Sequence, residues 1–140
     1  MRALGLDLGA KRIGVAVSDR SGTVASPLTV LQRSGDRAVD HRTIARLVAD
    51  EEADVVVVGL PVSLDGTTGP AAKAAQTETA VLASVLTVPV VSHDERFTTR
   101  TAQEALRLGG VKRAKQRAVV DKVAAAVMLQ AWLDAQGHQQ

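Results

Sequence analysis

Cysteine and aromatic residues are what this sequence of 140 residues has least of, since it contains no cysteine, no tyrosine, one phenylalanine and one tryptophan. The absence of cysteine excludes disulfide bonds and thiolate metal sites. Because Phe97 and Trp132 are the only such aromatic side chains, we do not expect a base-stacking platform for single-stranded nucleic acid. Any contact with nucleic acid would therefore be made to phosphates.

Long apolar runs are also missing from the sequence. No stretch approaches the roughly 20 apolar residues of a membrane-spanning helix, and the N-terminus begins a strand pattern at once, without the layout of a signal peptide. With 46% hydrophobic and 23% charged residues, the composition is that of a globular chain. We expect a single domain over residues 1–140, in a cytoplasmic protein with no membrane partner.

The positive charge is unevenly distributed, although a formal net charge of +2 by itself makes no case for a nucleic-acid partner. Basic residues gather near the start of the chain and directly before the last predicted helix: Lys11, Arg12, Lys112, Arg113, Lys115 and Arg117. Taken alone, such a run is more often a solvated segment than a binding surface.

The hydrophobic pattern alternates between the strand and helix periods. Strand patterns occur at residues 2–8, 12–19, 23–31, 54–61 and 88–93. Helical patterns occur at residues 36–51, 71–86, 98–108 and 117–136. Pro27 indicates an edge strand, Asp36 is a candidate helix cap, and the all-apolar run at 54–61 is typical of a central strand buried on both faces.

This order of elements predicts an α/β fold. A three-strand antiparallel meander is followed by alternating helices and strands, which gives a mixed sheet with helices on both faces. Ligands of such sheets bind at the carboxyl ends of the parallel strands. Asp7 lies near the end of the first strand, and Asp94 and Glu95 directly follow His93 at the end of another.

Asp7 raises a specific question, because it lies in the apolar run A-L-G-L-D-L-G. Burying an ionised carboxylate costs several kcal/mol unless a partner offsets the loss of solvation. The partner could be Lys11 or Arg12, a metal ion, or a ligand that carries phosphate.

Asp121 is a second acid in an apolar setting. It shares a predicted helix face with apolar side chains three, four, seven and eleven positions on: Ala124, Ala125, Met128 and Trp132. The alternative is that Asp121 only complements the positive end of its helix dipole.

Residues 94 and 95 supply the third candidate acid. Consecutive side chains leaving a strand point to opposite faces, so either Asp94 or Glu95 would aim at the same site as Asp7. Alternatively, Asp94 binds a nearby turn or helix N-terminus, and Glu95 forms a salt bridge with Arg96 or Arg100.

Convergence of Asp7, Glu95 and Asp121 would require a cation. Unit charges about 5 Å apart repel by roughly 3 kcal/mol at an effective dielectric constant of 20. Oxygen ligands without cysteine or a histidine pair favour Mg²⁺ or Mn²⁺ over Zn²⁺. A pair of such ions about 3.5 to 4 Å apart is a recurring device for phosphodiester hydrolysis.

Four segments of the sequence resemble, in order, the blocks of the YqgF/RuvX family: G-L-D-L-G-A-K-R-I-G-V-A-V-S-D, V-G-L-P-V-S-L-D-G-T-T-G-P, D-E-R-F-T-T and V-D-K-V-A-A-A-V-M-L-Q. The resemblance implies a ribonuclease H-like fold and a nuclease that matures the 5′ end of pre-16S rRNA or resolves Holliday junctions. It also implies that Asp7, Glu95 and Asp121 are the metal-binding catalytic acids. Lys11 and Arg12 match the basic pair after the first strand, and Arg96 matches the block around the second acid.

Two other function classes remain open at this point. The segment D-L-G-A-K-R-I-G-V-A-V resembles the first phosphate loop of actin-like ATPases and sugar kinases. A non-catalytic factor that binds RNA or a transcription complex through the basic segment is the second. The expected partner is structured RNA or branched DNA, and symmetric cutting of a four-way junction would require a homodimer.

Overall fold

The structure, a computed structural model, describes residues 1–60, 69–94 and 113–137, and in the last range it describes the side chains of residues 121–136. The elements are β1 (Ala3–Leu8), β2 (Arg12–Ser18), β3 (Ala25–Gln32), α1 (Arg37–Asp50), β4 (Val55–Leu60), α2 (Pro70–Val85), β5 (Val90–Asp94) and α3 (Arg113–Gly137). This order confirms the predicted succession of strands and helices, and the helix predicted at 98–108 lies outside the described residues.

The five strands form one mixed sheet in the order β3-β2-β1-β4-β5. The pairs β1–β2 and β2–β3 are antiparallel, whereas β1–β4 and β4–β5 are parallel. The three-strand meander extended by parallel strands is therefore confirmed. β3 is an edge strand, and Pro27 pairs with Ala16 directly beside a register shift, as the missing N–H of proline predicts.

Helices cover both faces of the sheet. On one face, Leu4 and Leu6 of β1 pack in a core cluster with Ile44 of α1 and Leu82 of α2. On the other face, a second core cluster joins β1, β2 and β4 to α3: Ala3, Ala16, Val55, Val57, Ala125, Ala126, Met128, Leu129 and Leu133. β4 is buried along nearly its whole length, as its unbroken apolar run predicts.

The helix ends follow from local chemistry. Asp36 caps α1, since its Oδ1 accepts hydrogen bonds from the backbone N–H groups of Ala38 and Val39 at 2.9 and 3.4 Å. Such a cap stabilises a helix by about 1 kcal/mol. Pro70 is at the start of α2, where a proline sacrifices no helical hydrogen bond.

The last helix is longer than its apolar pattern predicts. α3 begins at Arg113 rather than Arg117, because arginine, lysine, alanine and glutamine all have high helix propensity and extend it without an apolar stripe. Much of the basic run is therefore helical. Within the described residues, no helix is long and apolar enough to cross a membrane.

Candidate active site

Asp7 and Asp121 are brought together by the way α3 packs on the sheet. Ala3 of β1 packs against α3, so Asp7, four residues further along the strand, lies on the same face. Asp7 pairs with Gly14 of β2 across the antiparallel ladder. A β-carbon on residue 14 would overlap with the carbonyl oxygen of Asp121, so the helix lies directly on this glycine.

A second glycine supports the same close approach. A β-carbon on Gly5 would lie 3.0 Å from the β-carbon of Leu129, which is tighter than ordinary van der Waals contact. Because Gly5 and Gly14 have no side chain, the backbone of α3 comes close enough to β1 and β2 for Asp121 to influence Asp7.

The two carboxylates interact electrostatically. Burial, and to a smaller extent the negative charge of Asp121, together raise the pKa of Asp7 to about 6. Within the described ranges, no hydrogen bond or ion pair reaches the carboxylate of Asp7. The surroundings of Asp7 therefore disfavour its negative charge, which a bound cation would stabilise.

Arg12 pairs with Asp121 rather than with Asp7. Its Nε donates to Oδ2 of Asp121 at 2.5 Å, and both side chains are about one-quarter exposed (26% and 24%). Arg12 lies two residues before Gly14, so its side chain is on the α3 face of β2. Arg12, which the sequence left open as a possible partner of Asp7, therefore pairs with Asp121 instead.

The position of Asp121 in its helix excludes the dipole alternative. Asp121 lies about two turns inside α3, whereas the favourable effect of a helix N-terminus falls off within the first turn. The predicted apolar face is confirmed, because Ala124, Ala125 and Met128 are buried and Trp132 packs against the same cluster.

The third predicted acid, Glu95, lies outside the described residues. The strand before it, β5, shows which of its own residues face α3. Val91 packs on the α3 side of the sheet and Val90 on the other. His93 therefore shares the α3 face and aligns through Gly59 with Asp7. By the same alternation, Asp94 belongs to the opposite face. Within the described residues, no three His, Asp or Glu side chains are grouped as a metal site.

The predicted phosphate-binding residues are only partly described. Lys11 is exposed in the turn between β1 and β2. Arg96 and Lys112 lie outside the described residues. For Arg113, Lys115 and Arg117 the structure gives the backbone, which is the beginning of α3.

On the opposite face of the sheet lies a buried ionic network that the sequence-based predictions did not include. Glu78 of α2 and His41 of α1 are 6% and 2% exposed. Glu78 binds both His41 and Arg33, the residue after β3. The sequence does contain a signal for this network. Glu78 lies in the apolar stripe of α2 with Ala75 and Leu82, just as Asp121 lies in the apolar stripe of α3.

The described acids fit a hard divalent cation. Asp7 and Asp121 supply carboxylate oxygens, the ligands that Mg²⁺ and Mn²⁺ prefer. The raised pKa of Asp7 identifies a carboxylate whose charge an ion would stabilise. Arg12 already compensates Asp121, whereas Asp7 has no cationic partner among the described residues.

Comparison with known proteins gives a family and a fold. A family profile described as "RuvX: Holliday junction resolvase" matches residues 1–135. The chain is 40% identical over 137 residues to a protein of Thermoanaerobacter pseudethanolicus, covering 97% of this chain and 98% of that one. It is 47% identical over 136 residues to a protein of Mycobacterium sp. (strain KMS), covering 95% of this chain and 79% of that one. Both relatives carry the name "Putative pre-16S rRNA nuclease".

Solved structures place the chain in a fold class. T. thermophilus RuvC in complex with a Holliday junction substrate has a TM-score of 0.61 at 19% identity, covering 98% of this chain and 96% of that chain. A second T. thermophilus RuvC structure has a TM-score of 0.57 at 16% identity. The predicted α/β, ribonuclease H-like fold is therefore confirmed.

Proposed function

The chain belongs to the RuvX family of nucleases, and on that premise we propose that it hydrolyses phosphodiester bonds with two divalent ions held by Asp7, Glu95 and Asp121. The observation that carries the proposal is the carboxylate pair on the α3 face. Burial and Asp121 together raise the pKa of Asp7 to about 6, and the acid has no cationic partner in the described part of the chain that would lower it.

Mg²⁺ or Mn²⁺ bound there would activate water and stabilise the leaving oxygen. The chain's own residues hold and orient the reacting groups. Asp7, fixed on a central strand, and Asp121, fixed by the contact of α3 with Gly14, present their oxygens on one face. Glu95, which follows β5 in the sequence, would complete the set of acids.

Arg12 has two tasks in this proposal. It holds the carboxylate of Asp121 in a fixed direction through a charge-assisted hydrogen bond. With Lys11, Arg96 and the basic residues around the start of α3, it also provides positive charge for the phosphates of the substrate. No side-chain general base is required when a bound ion lowers the pKa of water.

Maturation of the 5′ end of pre-16S rRNA is the activity we propose first, because the curated relatives at 40% and 47% identity carry that name. Resolution of a Holliday junction is the second candidate, on the evidence of the family description. That reaction needs two active sites facing a four-way junction, so it predicts a homodimer.

Cleavage of the two candidate substrates by the purified full-length chain tests the proposal. We expect Mn²⁺ or Mg²⁺ to support cleavage of an RNA with an unprocessed 16S 5′ end, and EDTA to abolish it. Asp7→Asn should abolish cleavage, whereas the control Asp50→Asn, at the exposed end of α1, should retain it. A synthetic four-way junction in the same assay distinguishes the substrates. Binding without cleavage by the wild type would instead indicate a non-catalytic RNA-binding factor.

A further inference from the structure

The network of Arg33, Glu78 and His41, named here the Arg33 network, is centred on the buried carboxylate of Glu78. Two guanidinium nitrogens of Arg33, Nη1 and Nη2, donate to the two carboxylate oxygens of Glu78 at 2.9 and 2.7 Å. Nε2 of His41 lies 2.8 Å from Oε2 of the same carboxylate. None of the buried side-chain nitrogen or oxygen atoms of these three residues lacks a hydrogen-bond partner.

Stability alone does not explain such a network. Removing charges from water is costly, and well-packed apolar side chains are often as stabilising as a buried ion pair. Burial raises the pKa of Glu78, but hydrogen bonds from Arg33 and His41 outweigh that effect and lower the pKa. Glu78 is thus held ionised in a fixed direction, with Asp40 as a further acid close enough to act on Arg33.

The other N–H groups of Arg33 donate to backbone carbonyl oxygens, so the orientation that Glu78 gives to Arg33 affects the backbone that it binds. Its Nε donates to the carbonyl oxygen of Gly9 at 2.7 Å. Its backbone N–H donates to the carbonyl oxygen of Lys11 at 3.0 Å. One residue therefore binds both ends of the turn at residues 9–11, which directly follows the strand that carries Asp7 and precedes Arg12.

The turn is also tied to the site from its other side. The backbone N–H of Gly9 donates to the carbonyl oxygen of Asp7 at 3.1 Å. The chain of contacts therefore runs from Glu78 through Arg33 and Gly9 to Asp7. Glu78 and His41 belong to α2 and α1, which lie on the face of the sheet away from α3.

We propose that the Arg33 network is a positioning device for the active site. It fixes the turn at residues 9–11 and thereby the directions in which Asp7, Lys11 and Arg12 meet metal and phosphate. The role in catalysis rests on the proposed nuclease function, whereas the fixing of the turn does not. Arg33, Glu78 and His41 are positioning residues and take no part in the reaction itself.

Two variants weaken the network without removing its volume. Arg33→Lys retains the charge but loses the forked contact with Glu78 and the Nε donor to Gly9. Glu78→Gln retains the shape but loses the charge that orients Arg33. The matched control is Arg2→Lys, which weakens the ion pair between Arg2 and Glu51, about three-quarters buried, near the start of β1 at the opposite end from the turn.

Two readouts separate positioning from a merely structural role. In the metal-free protein, we expect both network variants to raise the hydrogen-exchange rates of the Gly9 and residue-33 amides by roughly tenfold or more. In the cleavage assay, run well below the melting temperature, we expect kcat to fall by roughly tenfold or more. The double variant should be no worse than the poorer single variant, because both act through one network.

The control Arg2→Lys should change neither readout by more than about twofold, since its pair is distant from the turn. Unchanged exchange of the turn amides would overturn the proposal, and so would an unchanged kcat in variants whose turn has loosened. If the wild type does not cleave at all, the proposed nuclease function fails, and the exchange rates still decide whether Arg33 fixes the turn.

Discussion

The carbonyl oxygen of Asp121 rests against Gly14, the strand residue that pairs with Asp7, at a distance that leaves no room for a β-carbon. This contact sets the height of α3 above the sheet and thus the separation of the two acids. The site therefore depends on a residue that contributes no side chain to it.

Gly14→Ala should displace α3 and damage both fold and site. Overpacking of a close backbone contact typically costs about 1 to 3 kcal/mol, which thermal or chemical denaturation would measure. Gly69→Ala is the control, because no atom of the described residues, other than its chain neighbours, lies within 4 Å of a β-carbon there, and it should cost less than about 1 kcal/mol. Equal stability of the two variants would contradict the packing described for Gly14.

The raised pKa of Asp7 makes the stability of the metal-free protein depend on pH. Its ordinary pKa is 3.8 and its folded pKa is about 6. At Asp7 the folded protein therefore binds a proton more tightly than the unfolded chain, so the contribution of Asp7 to stability falls as pH rises from about 4 to about 6 and then levels off. After allowance for residual exposure to solvent, we expect a loss of about 2 kcal/mol.

Asp7→Asn should remove this dependence and stabilise the metal-free protein at pH 7. Urea denaturation of both proteins between pH 4 and pH 8 is the measurement, with added EDTA to keep metal away. A wild-type stability that rises over that range relative to the variant would show that the carboxylate has a cationic partner after all.

The pair of Arg12 and Asp121 should be energetically coupled. With both side chains about three-quarters buried, either Arg12→Met or Asp121→Asn alone leaves the partner uncompensated. The double variant should therefore lose less stability than the sum of the single variants, with a coupling energy of about 1 to 3 kcal/mol. A double-mutant cycle by denaturation measures it, and additive losses would mean that the pair contributes nothing.

Lys11 tests the electrostatic part of substrate binding. It is exposed, so Lys11→Ala should leave the melting temperature unchanged. If Lys11 contacts a phosphate, affinity for nucleic acid should fall and the slope of log affinity against log salt concentration should decrease by about 1. An unaltered slope in a salt titration would remove Lys11 from the interface.

The sequence predicts most of the fold because its apolar residues recur at clear strand or helix spacings. The apolar run of β4, the alternation in β2 and the cap at Asp36 each have a local physical cause, and all three are confirmed. The start of α3 is missed because Arg113 and the residues after it favour a helix by propensity without an apolar stripe to reveal it.

The ion-pair partners of charged side chains are harder to predict than helices and strands, because ion pairs depend on how segments distant in sequence pack together. Arg12 is five residues from Asp7 in sequence but pairs with Asp121 on another element, since α3 lies over that end of β2. Arg33, Glu78 and His41 come from three separate segments, so no spacing rule connects them. An acid in an apolar helical stripe marks such a site, but its partner is found only in three dimensions.

The most direct test of the metal site is calorimetric titration of Mn²⁺ into the metal-free protein at pH 7.5, with wild type, Asp7→Asn and the control Asp50→Asn. We expect the wild type and the control to bind Mn²⁺ with the same affinity. Asp7→Asn should lose binding by roughly tenfold or more, since one ligand carboxylate is gone. Equal Mn²⁺ binding by the wild type and Asp7→Asn would contradict the central claim that Asp7 holds a divalent ion.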